Sequence, residues 1–232
     1  MPVAVPIAIA KGGNVLVDYR LFFGKQGNGV YISTLDMNRM MQRALKRSLL
    51  PVWYSQGFNP HIYCSFPLPL SLGVYSDYEV MDFRLTEEMP ACAVENALRA
   101  ALPEDFPVKK VDRPRMHVKT IGSATYRFTF ETGEKEPAAL LEDLFTWPEL
   151  LMEKFTKKGP REIDLLPLIR HHQITRESET ICLDAELIAT QENTLSPMLL
   201  YDAIKTYCPA LAAVRCKINR TAILNQTGEE FV

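Results

Sequence analysis

The stretch STLDMNRMMQRALKRSLL, from Ser33 to Leu50, has the pattern of an amphipathic helix. Ser33 is a favourable N-cap residue, and Asp36 three positions later completes a short version of a capping box. Apolar side chains then recur at helical spacing and end before Pro51: Leu35, Met40 or Met41, Ala44 and Leu45. The stretch therefore predicts a helix that packs one face against a core.

Extended segments flank this helix on both sides. Upstream, residues 14–23 alternate apolar with more polar side chains, which is typical of a strand, and glycines then mark a turn. Downstream, the pattern predicts two short extended pieces at 52–54 and 62–66, a strand at 77–85, a helix at 90–102 and a strand at 106–111. This order of strands and helices is that of a ferredoxin-like βαββαβ domain with an antiparallel sheet.

The second half repeats the theme. Strands are predicted at 126–130, 150–155, 181–188 and 214–218, helices at 137–145 and from Ser196, a strand or helical turn at 163–169, and a loose tail at 226–232. A basic stretch with proline between the halves is typical of a domain boundary. The fold prediction is an α+β protein of two tandem ferredoxin-like domains, at 1–113 and 114–232.

Composition bounds the possible functions. The chain has 232 residues, of which 47% are hydrophobic and 23% charged, as is ordinary for a globular protein. Its net charge of −2 provides no global basic field, so any nucleic-acid binding must come from local patches. Residues 1–10 are apolar but contain two prolines and no basic residue, which makes a poor signal peptide. We therefore expect a cytoplasmic protein without a membrane partner.

Five cysteines are spread along the chain, and no two have CxxC spacing. An odd number without such spacing indicates neither a disulfide framework nor a zinc knuckle, and no run could hold an iron–sulfur cluster. The pair His171-His172 lacks a third ligand at metal spacing. We expect reduced thiols, no metal site and no cofactor on this chain.

A row of cations follows the predicted helix, where Arg39, Arg43 and Arg47 recur at spacings of four with Lys46 beside them. This spacing places them on one face, and guanidinium groups suit phosphate. The alternative is a solvated outer face that Asp36 partly neutralises. A second basic strip lies near the domain boundary and could contact phosphates or form a plain linker: Lys109, Lys110, Arg113, Arg115 and Lys119. A third patch comprises Lys154, Lys157, Lys158 and Arg161.

The run YSQGFNPH is a polar, turn-like segment between apolar flanks, and its candidate ligand-binding residues are Tyr54, Ser55, Gln56, Gly57, Phe58, Asn59 and His61. An aromatic ring here could stack on a base, and the amide and imidazole groups could bind it. The alternative is a structural turn in which Gly57 supplies a positive φ and Phe58 fills the core. His61 is the best candidate for acid–base chemistry, although a lone histidine more often only makes hydrogen bonds. Asp36 could orient its ring.

The segment from Ser33 to Leu85 resembles the radical SAM-linked domain-of-unknown-function family. The matching elements are Ser33 to Asp36, the arginine-rich helix, YSQGFNPH, and Pro67 to Glu79, with weaker echoes in the second half. Three departures are Thr34 in place of the family's histidine, Ile62 after His61, and the inserted pair Ser71-Leu72. The resemblance implies a radical SAM enzyme as partner and an RNA or ribosome context.

Together these features predict a non-catalytic accessory protein that binds RNA or a ribonucleoprotein and works with a radical SAM enzyme. One alternative is a metal-independent RNA-processing enzyme that uses His61. That alternative rests on fold analogy with CRISPR repeat-processing endoribonucleases. A second alternative is a pure protein–protein adaptor for the radical SAM partner.

Overall fold

The computed structural model describes residues 16–132, 137–156, 159–177 and 179–232. Within these residues the chain is an α+β protein with five α-helices and antiparallel strand pairs, and none of the helices is long and apolar enough to cross a membrane. The chain divides into two compact units: the first extends to Val118 and includes Val232, and the second runs from Lys119 to Phe231. The predicted boundary lay between Arg113 and Pro114.

The first unit contains four strands and two α-helices among its described residues. They are β1 (Val17–Lys25), α1 (Thr34–Arg47), β2 (Cys64–Ser65), β3 (Tyr75–Leu85), α2 (Ala91–Ala101) and β4 (Val108–Asp112). The strands are arranged in the order β4–β1–β3, and β2 pairs with β3 at Phe83. The predicted helices and strands of this half are confirmed, with shifts of a few residues at their ends, except that the extended piece at 52–54 forms only isolated bridges, of Val52 with Leu85 and of Tyr54 with Ile62. Asn14 and Val15 lie outside the described residues.

The core of the first unit lies between its sheet and its helices. Alternate β1 side chains are fully buried, including Tyr19, Leu21 and Phe23. On α1 the buried residues are Met37, Met41, Ala44 and Leu45. The prediction that Leu35 belongs to the apolar face was wrong, because its side chain is 62% exposed. These four buried residues form the apolar face that α1 packs against the core, and Leu35 in the first turn lies outside this face.

The cap of α1 follows the sequence prediction in part. The Ser33 hydroxyl accepts a hydrogen bond from the Asp36 backbone N–H at 3.1 Å, as an N-cap residue should. The Asp36 carboxylate accepts from the Ser33 hydroxyl at 2.8 Å rather than from the Ser33 backbone. The short aspartate side chain therefore strengthens the cap without the reciprocal backbone contact of a full capping box.

The second unit contains six strands and three α-helices among its described residues. They are β5 (Ile121–Glu131), α3 (Pro137–Leu144), β6 (Leu151–Thr156), β7 (Gly159–Asp164), β8 (Ile169–Glu177), β9 (Thr180–Ile188), α4 (Pro197–Tyr207), α5 (Pro209–Ala212) and β10 (Cys216–Asn225). The sheet has the order β10–β5–β9–β8, and β6 and β7 pair as a separate hairpin. The hydrophobic pattern did not predict β8 or α5, and it covered only the last two residues of β7. Residues 163–169 contain the end of β7 and a short 3-10 turn, Leu166–Leu168.

The prediction of a loose tail was wrong. Phe231 is fully buried, and its backbone N–H donates to the Ile223 carbonyl at 2.9 Å. The turn before it is closed by Asn225, whose side-chain oxygen accepts from the backbone N–H groups of Thr227 and Glu229. One large aromatic side chain and one asparagine turn therefore fix a segment that lacks periodic hydrophobicity.

Candidate functional site

A groove of about 370 Å³ lies between α1 and residues 54–62 in the first unit. Its lining comes from these two segments: Arg39, Gln42, Arg43 and Lys46 from α1, and Tyr54, Pro60, His61 and Ile62 from the chain opposite. The four helical positions share one face because they are spaced by three or four residues. The structure thus brings the cationic helix and the YSQGFNPH segment together at one surface.

The helical wall of the groove carries positive charge. In the described part of the chain, Arg43 and Lys46 have no hydrogen-bond or ion-pair partner, and both are exposed. Arg39 contacts the Asp36 carboxylate, with Nη1 3.2 Å from Oδ1. The Ser33 hydroxyl and then Arg39 hold the pKa of Asp36 below its usual value, so Asp36 remains ionised at neutral pH. Two cations are therefore available to an anionic ligand, and a third is shared.

Gln42 also lines the groove, although the sequence pattern did not single it out as a candidate residue. Its side-chain amide donates to the Ile62 carbonyl at 3.2 Å and connects α1 to the opposite wall. Its position three residues after Arg39 places it on the same helix face, and this spacing could have identified it from the sequence. Gln42 therefore holds the two walls together, and the cations beside it remain available.

The YSQGFNPH segment closes on itself. The Ser55 N–H donates to the His61 carbonyl at 2.8 Å, and the His61 N–H donates to the Ser55 hydroxyl at 3.1 Å. The His61 Nδ1 lies 3.2 Å from the Asn59 carbonyl oxygen and 2.9 Å from the Ser55 hydroxyl. The Ser55 hydroxyl can donate to Nδ1 or accept from it, so these contacts hold the His61 ring in place in either neutral tautomer.

Two aromatic rings of this segment are exposed. Phe58 is entirely exposed, and Tyr54 is 42% exposed. The alternative in which Phe58 fills the core is therefore wrong. Gln56 and Asn59 are also exposed. The segment presents planar rings and amides to solvent, which are the groups that contact unstacked bases.

Gly57 has a φ of 147°, in a region that L side chains rarely adopt, and a Cβ there would meet open space. This confirms the interpretation that Gly57 supplies a positive φ. We expect Gly57→Ala to destabilise the loop by about 1 kcal/mol through backbone strain alone. Amide hydrogen exchange at Ser55, which donates to His61, should become faster while the unfolding midpoint changes little.

The control for this loop variant is Asn59→Ala, because Asn59 contributes only its backbone carbonyl to the loop contacts described above. It should leave exchange at Ser55 close to that of the unmodified protein. Unchanged exchange in Gly57→Ala would show that the strained backbone does not set the loop conformation.

Arg47, the last arginine of the predicted row, does not line the groove. Its guanidinium donates to the Ala101 carbonyl at 2.8 Å, at the C-terminal end of α2. This contact satisfies a carbonyl that the helix itself leaves unpaired. The cationic row of the groove therefore ends at Lys46.

The predicted strip Lys109 to Lys119 also lies outside the groove lining. Lys110 and Arg115 both pair with Asp112, at 2.7 and 3.0 Å. Arg113 pairs with Glu88 at 2.7 Å and lies over the Tyr19 ring. Lys109 is exposed on β4, and Lys119 is exposed at the start of the second unit. Neighbouring carboxylates thus neutralise much of the strip.

The remaining candidates for chemistry are placed apart. Thr34 is the exposed first residue of α1 and does not line the groove. Asp36 contacts Ser33 and Arg39, whereas the His61 ring contacts Ser55 and Asn59. The expectation that Asp36 orients His61 therefore has no support among these contacts. Burial raises the pKa of Cys64 to about 11, so its thiol stays protonated at neutral pH.

The second unit contains the paired histidines. The His172 ring stacks on the Phe145 ring, with 4.3 Å between the ring centroids, and burial lowers the pKa of His172. Across the described ranges, no three His, Cys, Asp or Glu side chains are grouped so that they could hold a metal ion. In the third basic patch, Lys154 donates to the Thr194 carbonyl at 3.4 Å, and Lys157 and Lys158 lie outside the described residues.

Comparison with known proteins assigns this chain to a family. The sequence profile of a family described as "Uncharacterized protein conserved in bacteria (DUF2344)" matches residues 18–197. No curated protein matches the chain. A crystal structure of an unknown protein from Galdieria sulphuraria is similar at 12% identity over 88% of this chain and 98% of that one, with a TM-score of 0.25, too low to indicate a shared fold. Because the profile spans most of the sequence and both walls of the groove, the chain belongs to the DUF2344 family.

Proposed function

We propose that this protein is a non-catalytic accessory protein that binds RNA, or an RNA–protein particle, and works with a radical SAM enzyme. The observation that carries the proposal is the groove, where Arg43 and Lys46 face the segment that holds Tyr54 and His61. Phosphate contacts position a nucleic acid, and contacts with bases recognise it. The cationic wall formed by α1 suits phosphate contacts, and the opposite wall with Tyr54 and His61 suits base contacts.

The magnitudes favour single-stranded RNA. A hydrogen bond to a charged group contributes about 1.5–3 kcal/mol, and stacking of a base on an aromatic ring about 1–3 kcal/mol. The rings of Tyr54 and Phe58 are already exposed, so stacking would not require a core side chain to move. A duplex would offer phosphates but keep its bases stacked inside. We therefore expect unpaired RNA to use both walls.

We also propose that each unit is a ferredoxin-like domain. In the first unit, the order β4–β1–β3 with β2 on β3 supports this assignment. In the second unit, β10–β5–β9–β8 gives the same order once the β6–β7 hairpin is treated as an insertion. The pattern matches βαββαβ connectivity with antiparallel pairing.

The radical SAM enzyme enters the proposal through the sequence resemblance of Ser33 to Leu85. In this proposal the partner carries the cofactor and performs the reaction, and this chain presents the RNA. The Lys109 to Lys119 strip takes a secondary part, because three of its cations already have carboxylate partners.

The direct test is fluorescence anisotropy of a labelled single-stranded RNA and of the matching duplex, titrated with the protein across a salt series. We expect tighter binding of the single strand, and an affinity that falls with salt as counterions are released. No binding of either RNA at low salt would contradict the proposal. RNA cleavage that His61→Ala abolishes would instead identify an enzyme, and binding of the radical SAM partner alone would identify a protein adaptor.

A further inference from the structure

We propose that the groove takes the terminal nucleotide of an RNA strand and that Arg43 and Lys46 bind its terminal phosphate monoester. This inference rests on the proposed RNA binding and specifies which part of the RNA enters. The structural basis is a short row of available cations facing an aromatic and imidazole wall in a space of limited volume.

The cationic surface is too short to follow a strand. Arg47 would extend it by one position along α1, but its guanidinium is engaged at the Ala101 carbonyl. Arg39, at the other end, shares its charge with Asp36. The available charge is therefore confined to about one helical turn, whereas a backbone-tracking groove needs cations along its length.

The charge of the ligand can be matched to this arrangement. A bridging phosphodiester carries a single negative charge, whereas a phosphate monoester carries about −1.5 to −2 near pH 7. Arg43 and Lys46, which lack partners among the described residues, supply two positive charges. Charge-assisted hydrogen bonds of this kind are stronger than neutral ones. The dianionic end of a strand is thus the better match.

The volume and the opposite wall fit a single nucleotide. A groove of about 370 Å³ lies at the lower end of the roughly 300–1,000 Å³ typical of small-molecule sites. Tyr54 offers an exposed ring for one base. The His61 Nε2 can form a hydrogen bond with a ribose hydroxyl, which both donates and accepts.

The test uses four labelled RNAs of one sequence: with a 5′-phosphate, with a 3′-phosphate, with hydroxyls at both ends, and circular. We expect one phosphorylated form to bind about 10-fold more tightly than the hydroxyl-ended and circular forms, because those forms offer the two cations only a singly charged phosphodiester. The preferred form tells which end is bound. Arg43→Gln/Lys46→Gln should abolish the preference, and Arg161→Gln/Arg215→Gln in the second unit should not.

The salt dependence gives a second measurement. Two neutralised charges predict a slope of about −1.4 for log affinity against log salt with a single strand. A much steeper slope, or equal affinity for all four RNAs, would overturn the end-binding inference and leave RNA binding itself standing. No binding of any RNA would overturn both.

Discussion

Replacing Arg43 and Lys46 together with glutamate is expected to lower the affinity for single-stranded RNA by about 100-fold at low salt. Each side chain is exposed in the groove and lacks a partner among the described residues, so its charge is available to phosphate. Two lost charge-assisted contacts at about 1.5 kcal/mol each would give this change, and the new carboxylates add repulsion. Anisotropy titrations at low and high salt measure it, and the difference between the variants should shrink as salt screens the charges.

The matched control for this variant is Arg161→Glu/Arg215→Glu, which makes the same change in net charge on exposed residues of the second unit. It should weaken binding only slightly, because its charges lie outside the groove lining. Equal losses in both variants would show that the RNA responds to the overall charge of the protein and does not use the groove. Circular dichroism should be unchanged in both, since all four positions are solvent-exposed.

Arg20→Met is expected to lower the free energy of unfolding by about 3–5 kcal/mol, the cost of breaking a buried ion pair by removing one partner. The Arg20 side chain is 1% exposed and binds Asp82 through two hydrogen bonds, of 2.7 and 2.8 Å. Its Nη1 also donates to the backbone carbonyls of Met116 and Val232, at 3.1 and 3.0 Å. The variant leaves the carboxylate and both carbonyls without this donor. Urea unfolding measures the change.

The control is Arg99→Met, which removes an exposed pair with Glu95 on α2. This arginine side chain is 52% exposed, so water replaces the lost contact and the expected cost is below about 0.5 kcal/mol. Arg20→Met/Asp82→Leu should be more stable than Arg20→Met, because no carboxylate is then left unpaired. If Arg20→Met unfolds within about 1 kcal/mol of the original protein, the pair does not stabilise the first unit as described.

Sequence periodicity predicted the first unit well because its elements have regular apolar faces. Tyr19, Leu21 and Phe23 alternate along β1. On α1, the predicted buried face differs from the observed one only in that Met37 is buried and Leu35 is exposed. In contrast, β8 is rich in charged and polar residues and lies at the end of the strand order, so its pairing with β9 could not be predicted from hydrophobicity. The burial of Phe231 could not be predicted either, because a single buried side chain leaves no periodic pattern in the sequence.

Both walls of the groove were predicted, but not their contact with each other. Which side of α1 faces residues 54–62 depends on core packing and on the Gln42 contact with Ile62, neither of which spacing alone determines. Spacing also placed Arg47 with Arg39 and Arg43, although its guanidinium contacts Ala101. The charge of the Lys109 to Lys119 strip was overestimated because Asp112 within it pairs with Lys110 and Arg115, and because Glu88, the partner of Arg113, is distant in sequence.

In the proposed function, RNA binds in the groove between α1 and the YSQGFNPH segment. The most direct measurement is ultraviolet cross-linking of a single-stranded RNA to the protein, followed by mass spectrometry of the cross-linked peptides. We predict cross-links at Tyr54, Phe58 or His61 that disappear in Arg43→Glu/Lys46→Glu. Cross-links confined to residues 119–231, or cross-links at the groove that persist in that variant, would contradict the claim.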